Sequence, residues 1–443
     1  MEALSQLRQD AKAIFFAALA SADPASAVKR HLRCTGDRLE ISGQCFDLSR
    51  IRRLHIVGAG KASAPMAQAV EDLLGDKIDS GLIIVKDGYA LPTRKIQIAE
   101  GGHPIPDSRG VQASTAIIRL VEDATSEDLI LCLFSGGASA LLSAPAQSIS
   151  LQDKQWATEL LLNCGAKIQE INAIRKHASK LKGGRLAQLA DPAQVVSLIL
   201  SDVIGDPIDS IASGPTAPDP TTFADCLAII ERYDLSAKMP LALIRLLEAG
   251  RNGMLDETPK PGDSMFAKVQ NVVVGNNRTA LSAAKEKAKA LGYRTLLLSR
   301  SVEGENAQAA LFHTAIAKEI RDTGLPVSGP ACVVSGGETT VNVRGGGLGG
   351  RNQEFVTSAA IEIANLQGVV ILSAGTDGTD GPTDAAGGIV DGTTVSRAQK
   401  QGLEAAEYLR RNDCYHFLSA LGDLVVTGPT FTNVMDIHIV LVA

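Results

Sequence analysis

The stretch Leu54-His-Ile-Val-Gly-Ala-Gly-Lys-Ala-Ser63 predicts the fold class of this 443-residue chain. Its apolar half indicates a short β-strand, its two glycines indicate a turn, and a helical pattern continues to about Leu74. The same order recurs downstream, where apolar runs end at polar or glycine loops near residues 86, 135, 201, 275, 299, 335 and 373. Alternating strand and helix signals of this kind are typical of an α/β protein with mostly parallel sheets.

The composition is that of a soluble globular protein. The chain has 43 basic and 49 acidic side chains, a net charge of -6, and 45% hydrophobic residues. This acidic balance predicts no nucleic-acid partner and no anionic membrane surface. Seven scattered cysteines without a CxxC pair indicate a reduced, cytoplasmic protein. Residues 3–22 predict an amphipathic helix, the alternative being a signal peptide, and no run reaches the ~20 apolar residues of a membrane span.

One segment is rich in turn-forming residues and predicts a domain boundary. Residues 249–268 contain Gly, Asn, Asp and Pro in close succession and read as a linker or exposed loop. We therefore expect an N-terminal α/β domain over residues 1–248 and a C-terminal α/β domain over residues 269–443.

The glycine turn after the first strand places Lys61 at the start of a helix. The segment lacks the first glycine of a Walker loop, and Ser63 stands where the third glycine of GxGxxG belongs. A cation at a helix N-terminus opposes the helix dipole unless an anion lies beside it. Lys61, with Gly58 and Gly60, is thus predicted to bind an anionic ligand, the alternative being a solvated surface lysine.

A second strand-to-helix turn offers backbone amides and two hydroxyls, which suits anion binding. Its residues are Ser135, Gly136, Gly137, Ala138 and Ser139. The alternative is a tight turn in which serines cap the helix. Residues 335–337 repeat the Ser-Gly-Gly element, which predicts either a second anion cradle at Gly336 and Gly337 or a coincidence of three residues.

A basic cluster lies between residues 172 and 185 and includes Arg175, His177 and Lys182. On an acidic protein it favours recognition of a small anion, although a solvated helix face would have the same composition. Besides His177, only His103 stands in a comparably polar context. No histidine or cysteine spacing predicts a zinc site.

Two carboxylates directly follow apolar strands, Asp202 and Asp377. Magnesium prefers one or two carboxylates completed by water and phosphate oxygens, so both are candidate ligands. The alternative is ordinary Asp-Gly turn chemistry, which suits Asp380 better. A glycine-rich loop, residues 345–350, leads into Arg351 and could close over a substrate whose transferring phosphoryl group the arginine would stabilise.

Ten motifs in order make the chain resemble the type II glycerate kinases, which join a glycerate-kinase domain to a MOFRL domain. They are Val57-Gly-Ala-Gly-Lys-Ala-Ser63, Gly101-Gly-His-Pro-Ile-Pro-Asp107, Phe134-Ser-Gly-Gly-Ala-Ser139, Ile171-Asn-Ala-Ile-Arg-Lys-His177, Ser201-Asp-Val-Ile-Gly-Asp206, Ser213-Gly-Pro-Thr216, Gly275-Asn-Asn-Arg278, Ser335-Gly-Gly-Glu-Thr339, Gly349-Gly-Arg-Asn-Gln-Glu354 and Ala374-Gly-Thr-Asp-Gly-Thr-Asp-Gly-Pro382. The sequence departs from the family at Phe431, where a glycine is expected.

The resemblance implies phosphorylation of D-glycerate at its 2-hydroxyl by ATP with Mg²⁺, in a cleft between two Rossmann-like domains of a monomer or homodimer. The family's essential lysine and arginine fall on Lys61 and Arg351. Its site aspartates fall on Asp202 and Asp377, either of which could accept the hydroxyl proton or hold the metal. Nucleotide or substrate binding is implied for Gly58, Gly60, His103, Ser135, Gly136, Gly137, Ala138, Ser139, Arg175, Lys182, Asn276, Gly336, Gly337, Glu338, Asn352 and Glu354.

Two other functions remain open from the sequence. Family members are also named hydroxypyruvate reductases, so an NAD(P)H-dependent reductase is one alternative. The broken GxGxxG pattern and the surplus of anion-binding turns argue against it. The other alternative is a non-catalytic protein that binds a small anion or nucleotide, which would not need carboxylates paired with cations at strand ends.

Overall fold

The computed structural model describes residues 2–443, which divide into two compact units. The first unit is Pro24–Val274, and the second comprises residues 2–23 together with Gly275–Ala443. The division thus lies after residue 274 rather than within residues 249–268, and the N-terminal helix belongs with the second unit.

The helices and strands are numbered in chain order. The α-helices are α1 (Glu2–Ser21), α2 (Pro24–His31), α3 (Ser63–Leu74), α4 (Ser108–Glu122), α5 (Ala138–Leu141), α6 (Leu151–Asn163), α7 (Ile168–His177), α8 (Arg185–Ala190), α9 (Phe223–Arg232), α10 (Leu241–Arg251), α11 (Asn277–Ala290), α12 (Asn306–Thr323), α13 (Arg351–Glu362), α14 (Thr394–Gln399), α15 (Ala405–Arg410) and α16 (Cys414–Leu421). The strands are β1 (Leu32–Thr35), β2 (Arg38–Ile41), β3 (Gln44–Asp47), β4 (Arg53–Ala59), β5 (Ser80–Lys86), β6 (Ile96–Gly101), β7 (Asp128–Phe134), β8 (Gln194–Leu200), β9 (Val269–Gly275), β10 (Arg294–Val302), β11 (Ala331–Gly337), β12 (Val369–Gly375), β13 (Gly387–Asp391), β14 (Leu424–Val425) and β15 (Asp436–Val442).

The main sheet of the first unit has the order β6-β5-β4-β7-β8-β9. Strands β6, β5, β4, β7 and β8 pair in parallel. Counted along the chain from β4, this is the strand order of the Rossmann fold, in which the direction of winding reverses between the first and fourth strands. The predicted parallel α/β sheet is confirmed here, and its reversal point lies between β4 and β7.

The sheet of the second unit has the order β10-β11-β15-β12-β13-β14. Only β10 and β11 pair in parallel among its described strands, and the pairs β11–β15, β12–β15, β12–β13 and β13–β14 are antiparallel. The expectation of mostly parallel sheets is therefore wrong for this unit. Every residue of β11, β12, β13 and β15 is buried, so these strands lack the polar alternation that marks an antiparallel sheet.

The N-terminal helix belongs to the second unit because its apolar side chains are buried there and its Arg8 forms ion pairs there. Ile14 and Phe15 of α1 are completely buried. Arg8 forms ion pairs with Asp391 at 2.5 Å and Asp423 at 2.6 Å. Both carboxylates are almost fully buried, and the helix supplies a counter-ion to each of them, which Arg397 supplements at Asp423.

The segment 249–268, predicted to be a linker, is held within the first unit by buried polar contacts. The Thr258 hydroxyl donates to Asp219 at 3.0 Å, and Glu257 accepts from the Phe223 amide at 2.9 Å. Glu257 also contacts His177 Nε2 at 3.1 Å. The turn-rich composition therefore indicates an irregular segment and not a linker between domains. The contacts of Glu257 hold this segment against α7 and α9.

Among the helices of residues 2–443, no single helix is long and apolar enough to cross a membrane. The bent pair Ala3–Ser21 and Pro24–His31 passes that test by length and composition alone.

Candidate active site

Two turns meet at the reversal point of the first unit's sheet. The Lys61 amide donates to the Gly136 carbonyl at 2.8 Å, and the Ser135 amide donates to the Ala59 carbonyl at 3.2 Å. The Ala62 amide donates to the Ser135 hydroxyl at 2.9 Å. Ligands of open α/β sheets bind at reversal points of this kind. The two predicted anion-binding turns are thus a single structural feature.

The glycines of the first turn are explained by the close approach of its neighbour. A Cβ on Gly58 would lie 2.0 Å from the Leu133 carbonyl oxygen, and a Cβ on Gly60 would lie 2.1 Å from the Ser135 hydroxyl. Gly58 is part of β4 and not of the loop. The two glycines therefore allow the first turn to pack closely against Leu133 and Ser135. Binding of a dinucleotide phosphate is not needed to explain them.

Lys61, His103 and Gly137 lie next to one another at this turn. A Cβ on Gly137 would be 3.1 Å from the His103 ring and 3.4 Å from Lys61 Cγ. Gly137 has φ +88° and precedes the short helix α5, which begins at Ala138. Three residues predicted separately from the sequence are thus brought together.

A chain of hydroxyl groups continues from the second turn. Ser139 Oγ lies 2.9 Å from Ser213 Oγ, and Ser213 donates to Asn172 Oδ1 at 3.3 Å. Ala212 and Ser213 have φ of +56° and +60°, a left-handed conformation that is costly for residues other than glycine. Backbone strain of this kind is typical of functional sites.

Arg175 and Lys182 of the basic cluster are turned inward together with Lys154, which the sequence analysis did not identify. Lys182 is fully buried and donates to the Ser139 carbonyl at 2.8 Å. Lys154 is 7% exposed and donates to the Ser143 hydroxyl at 3.2 Å. Burial lowers the pKa of Lys154 to about 8 and holds the pKa of Lys182 well below its usual value. A solvated helix face therefore does not describe these side chains.

Asp202 lies two residues beyond the end of β8 and is half-buried, as expected for a side chain at the carboxyl edge of the sheet. The same loop contains Asp206, whose φ is +57°.

In the second unit, Arg351 begins α13 and is held by a buried carboxylate. Its Nε and Nη2 donate to Asp436 at 2.6 and 2.9 Å, and its Nη1 lies 3.1 Å from Glu338. Asp436 is completely buried, whereas the Glu338 side chain is half exposed. Asp436 fixes the direction of the guanidinium, and Glu338 is the partner that a ligand could displace.

Asn352 extends this network into the core. Its Nδ2 donates to Asp436 at 3.0 Å, and its Oδ1 accepts from the Ser373 hydroxyl at 2.6 Å. Because that hydroxyl donates to Asn352, it accepts from His438 Nδ1 at 2.8 Å. Asp436 and His438 were not predicted, since both lie inside the apolar run of β15 and match no motif.

Asp380, and not Asp377, is the deeply buried carboxylate of its loop. It accepts from the Asn352 and Gln353 amides at 3.1 and 2.9 Å, capping the N-terminus of α13, and burial raises its pKa to about 7. Asp377 is half-buried and accepts from the Thr379 amide at 3.2 Å, a turn contact. The expectation that turn chemistry suits Asp380 better is therefore wrong.

The predicted second anion cradle is not a turn. Gly336 and Gly337 lie inside β11, in register with β15, so the ladder uses their backbone groups. A Cβ on Gly336 would lie 2.3 Å from Asn277 Oδ1, and a Cβ on Gly337 would lie 2.2 Å from the Val302 carbonyl oxygen. Close packing inside the sheet explains these glycines, and the shared Ser-Gly-Gly element is coincidental.

Two further predicted residues have evident structural roles. Asn276 caps α11, its Oδ1 accepting from the Thr279 amide at 3.1 Å. Glu354 is half-buried, accepts from Asn412 Nδ2 at 3.3 Å, and has its pKa raised by burial.

The glycine-rich loop before Arg351 is pinned to the protein. The Gly345 amide donates to Asn412 Oδ1 at 2.8 Å, and the Gly347 amide donates to the Arg411 carbonyl at 2.9 Å. The Leu348 amide donates to Asp413 at 3.0 Å. Instead of forming a flexible lid, the loop fixes the start of α13.

Two family models match the chain. The Domain of unknown function (DUF4147) matches residues 10–248, and the MOFRL family matches residues 331–436. The first match lies mostly in the first unit and the second lies within the second unit, in the order implied by the sequence motifs.

Named relatives match over nearly the whole chain. A glycerate 2-kinase of Pyrococcus horikoshii is 40% identical, with 96% of this chain and 95% of that protein aligned. A protein of Agrobacterium vitis that bears a hydroxypyruvate reductase name is 41% identical, over 98% of this chain and 94% of that protein. The crystal structure of a Thermotoga maritima glycerate kinase has a TM-score of 0.87 and 39% identity, covering 99% of this chain and 100% of that one. The protein therefore belongs to the glycerate 2-kinase family.

Proposed function

We propose that the protein transfers a phosphoryl group directly from ATP, with Mg²⁺, to the 2-hydroxyl of D-glycerate. Phosphoryl transfer needs reactants held in position and charge neutralised, and no covalent chemistry by the protein. The observation that carries the proposal is the paired turn at the reversal point of the first sheet. It presents Lys61 and His103 beside Gly137 of the second turn.

In the first unit, Lys61 neutralises charge on the transferring phosphoryl group, and the amides of the second turn hold an anionic group of a substrate. Asp202, at the end of the adjacent strand β8, accepts the proton of the glycerate hydroxyl. Removing one charge-stabilising donor of this kind typically lowers kcat by about 100- to 1,000-fold.

In the second unit, Arg351 binds a substrate anion through Nη1 once Glu338 is displaced. Asp436 keeps the guanidinium in place, and Asn352 supports Asp436. Arg351 is the candidate for charge stabilisation from this unit because one of its nitrogens faces an exposed and replaceable partner.

The carboxylates fit a magnesium ion that arrives with ATP. Among residues 2–443, no group of three or more His, Cys, Asp or Glu side chains is arranged to hold a metal by itself. Magnesium needs only one or two carboxylates when nucleotide phosphates and water complete its shell. Asp377, fixed by its turn, would supply such a carboxylate, and the ion would supply charge neutralisation at the phosphates.

One purified sample divided between two assays tests the proposal. The first supplies ATP, Mg²⁺ and D-glycerate and detects 2-phosphoglycerate through enolase, with phosphoglycerate mutase added separately to reveal a 3-phosphate. The second follows oxidation of NADH or NADPH with hydroxypyruvate. Enolase-visible product without mutase supports the 2-kinase. Cofactor oxidation without consumption of ATP would refute it.

A further inference from the structure

Two buried lysines and one partly buried arginine of the first unit have no acidic partner among residues 2–443. They come from different segments: Lys154 from α6, Arg175 from α7 and Lys182 from the loop before α8. Besides burial, the charges of Lys154 and Arg175 lower the pKa of Lys182, and the charge of Arg175 lowers that of Lys154. Lys182 and Lys154 contact Ser139 and Ser143 of one short segment, and Asn172, one turn before Arg175 on α7, is linked through Ser213 to Ser139, so the three groups are neighbours.

Within residues 2–443, the hydrogen-bond partners of this triad of side chains are neutral. Lys182 donates to the Ser139 carbonyl and Lys154 to the Ser143 hydroxyl, while Arg175 has no hydrogen-bond acceptor among the described residues. Lys176, the residue next to Arg175, is also buried but lies 3.2 Å from Asp209 and 3.3 Å from Asp219. Lys176 thus has two carboxylate partners. Among the described residues, Lys154, Arg175 and Lys182 have none.

Such an arrangement is unfavourable in the ligand-free protein. A buried charge without a counter-ion loses its hydration and gains no partner in return, and the mutual repulsion adds to that cost. An anion placed among the three groups would remove both penalties. Arg175 offers the planar fork that binds carboxylate or phosphate through two hydrogen bonds.

Neighbouring polar groups extend the triad toward the paired turn. Ser213 donates to Asn172 Oδ1, so Ser139 Oγ donates to Ser213 and keeps its lone pairs for a ligand. The Asn172 Nδ2 amide has no partner among the described residues and remains a donor. A substrate hydroxyl next to the anion could thus accept a hydrogen bond from Asn172 Nδ2 and donate one to Ser139 Oγ.

We propose that Lys154, Arg175 and Lys182 form a pocket for the oxyanion group, carboxylate or phosphoryl, of a small substrate whose adjacent hydroxyl binds Ser139 and Asn172. This inference rests on the proposed function and assigns one end of the substrate to the first unit. Lys154 and Arg175 are then specificity-determining residues that select anionic over neutral polyols.

Binding to the full-length protein without turnover tests the pocket. Titration calorimetry measures the affinities of inorganic phosphate, D-glycerate and ATP without Mg²⁺ for wild type, Lys154→Met and Arg175→Met. Lys238→Met is the control, because it removes an exposed lysine of the same unit. Loss of a charge-assisted hydrogen bond predicts roughly 10- to 100-fold weaker binding by the two pocket variants.

The pattern of losses identifies the source of the oxyanion. Weakened binding of D-glycerate alone assigns the pocket to the carboxylate, and weakened binding of phosphate and ATP assigns it to a phosphoryl group. The pocket would be refuted if wild type bound none of the three probes, or if both variants bound all three as tightly as wild type does. Because no catalysis is needed, a protein without kinase activity can still pass this test.

Thermal unfolding separates the pocket from a purely structural role. Lys154→Met removes an unpaired buried charge, so the ligand-free variant is expected to unfold at a higher temperature than wild type. The stabilisation that the binding probe gives to wild type should shrink or disappear. A lower melting temperature of ligand-free Lys154→Met would show that this lysine supports the fold, and would overturn the inference.

Discussion

Arg351 and Asp436 form a two-point ion pair in which the acid is buried and the base reaches the surface. Two guanidinium nitrogens donate to the two carboxylate oxygens at 2.6 and 2.9 Å. About a third of the Arg351 side chain is exposed, whereas none of Asp436 is. The two residues should therefore respond differently to substitution, although they share one interaction.

Arg351→Met should be more destabilising than Asp436→Asn. The arginine variant leaves a completely buried carboxylate without its counter-ion, which typically costs about 3–5 kcal/mol. The aspartate variant leaves a guanidinium that water can solvate. Free energies of unfolding of the two single variants and the double variant give the coupling. Equal losses with no recovery in the double variant would contradict the ion pair.

The stability of the ligand-free first unit should depend on pH through Lys154. Burial lowers the pKa of this lysine from 10.5 to about 8, with Arg175 adding repulsion. Between these values the unfolded chain holds the proton and the folded chain does not, so stability rises with pH. The contribution is lost as pH falls through about 8.

The measurement is the difference in free energy of unfolding between wild type and Lys154→Met across that range. Subtracting the variant cancels the other groups that titrate in alkali. A difference that does not change with pH would show that Lys154 keeps its ordinary pKa.

The glycine-rich loop provides a matched pair of substitutions. A Cβ on Gly347 would lie 2.5 Å from Asp413 Cβ, whereas a Cβ on Gly346 has nothing within 4 Å. Gly347→Ala should destabilise the second unit by about 1–3 kcal/mol, the usual cost of overpacking, and Gly346→Ala should be nearly neutral. Thermal unfolding distinguishes them. Equal behaviour of the two variants would mean that the loop is not pinned.

Phe431 occupies a left-handed conformation, with φ +55°, at the position where the sequence resemblance leads us to expect glycine. The conformation costs roughly 1–2 kcal/mol per residue for any residue with a Cβ. Phe431→Gly should therefore be more stable than Phe431→Ala by about 1 kcal/mol, since both variants lose the ring and only the alanine keeps the strain. Chemical denaturation gives the difference, and a more stable alanine variant would refute it.

The local sequence predicted those parts of the fold that depend on residues close together in the chain. The strand ends and the turns that contain Lys61, Ser135 and Asp202 follow from apolar runs that end in glycine, serine or aspartate. The antiparallel pairing of β15 could not be predicted in this way, because a strand buried on both faces shows no alternation. Nothing near α1 in sequence identifies Asp391 and Asp423 as partners of Arg8.

Long-range contacts also determine which side chains form the site. Lys154 looks like any lysine on an amphipathic helix, and only the folded structure shows that it is buried. Asp436 and His438 sit within an apolar strand and match no motif. Gly336 and Gly337 match a turn motif but belong to a strand. A three-residue pattern does not determine whether the backbone hydrogen bonds to the neighbouring strand continue through it.

The most direct test of the central claim compares initial rates of D-glycerate phosphorylation by wild type, Lys61→Met and Lys238→Met in the enolase-coupled assay without mutase. We expect 2-phosphoglycerate from wild type and from the exposed-lysine control, and a rate about 100- to 1,000-fold lower from Lys61→Met with its fold intact. The account would be contradicted if Lys61→Met kept the wild-type rate, or if wild type gave product only after mutase was added.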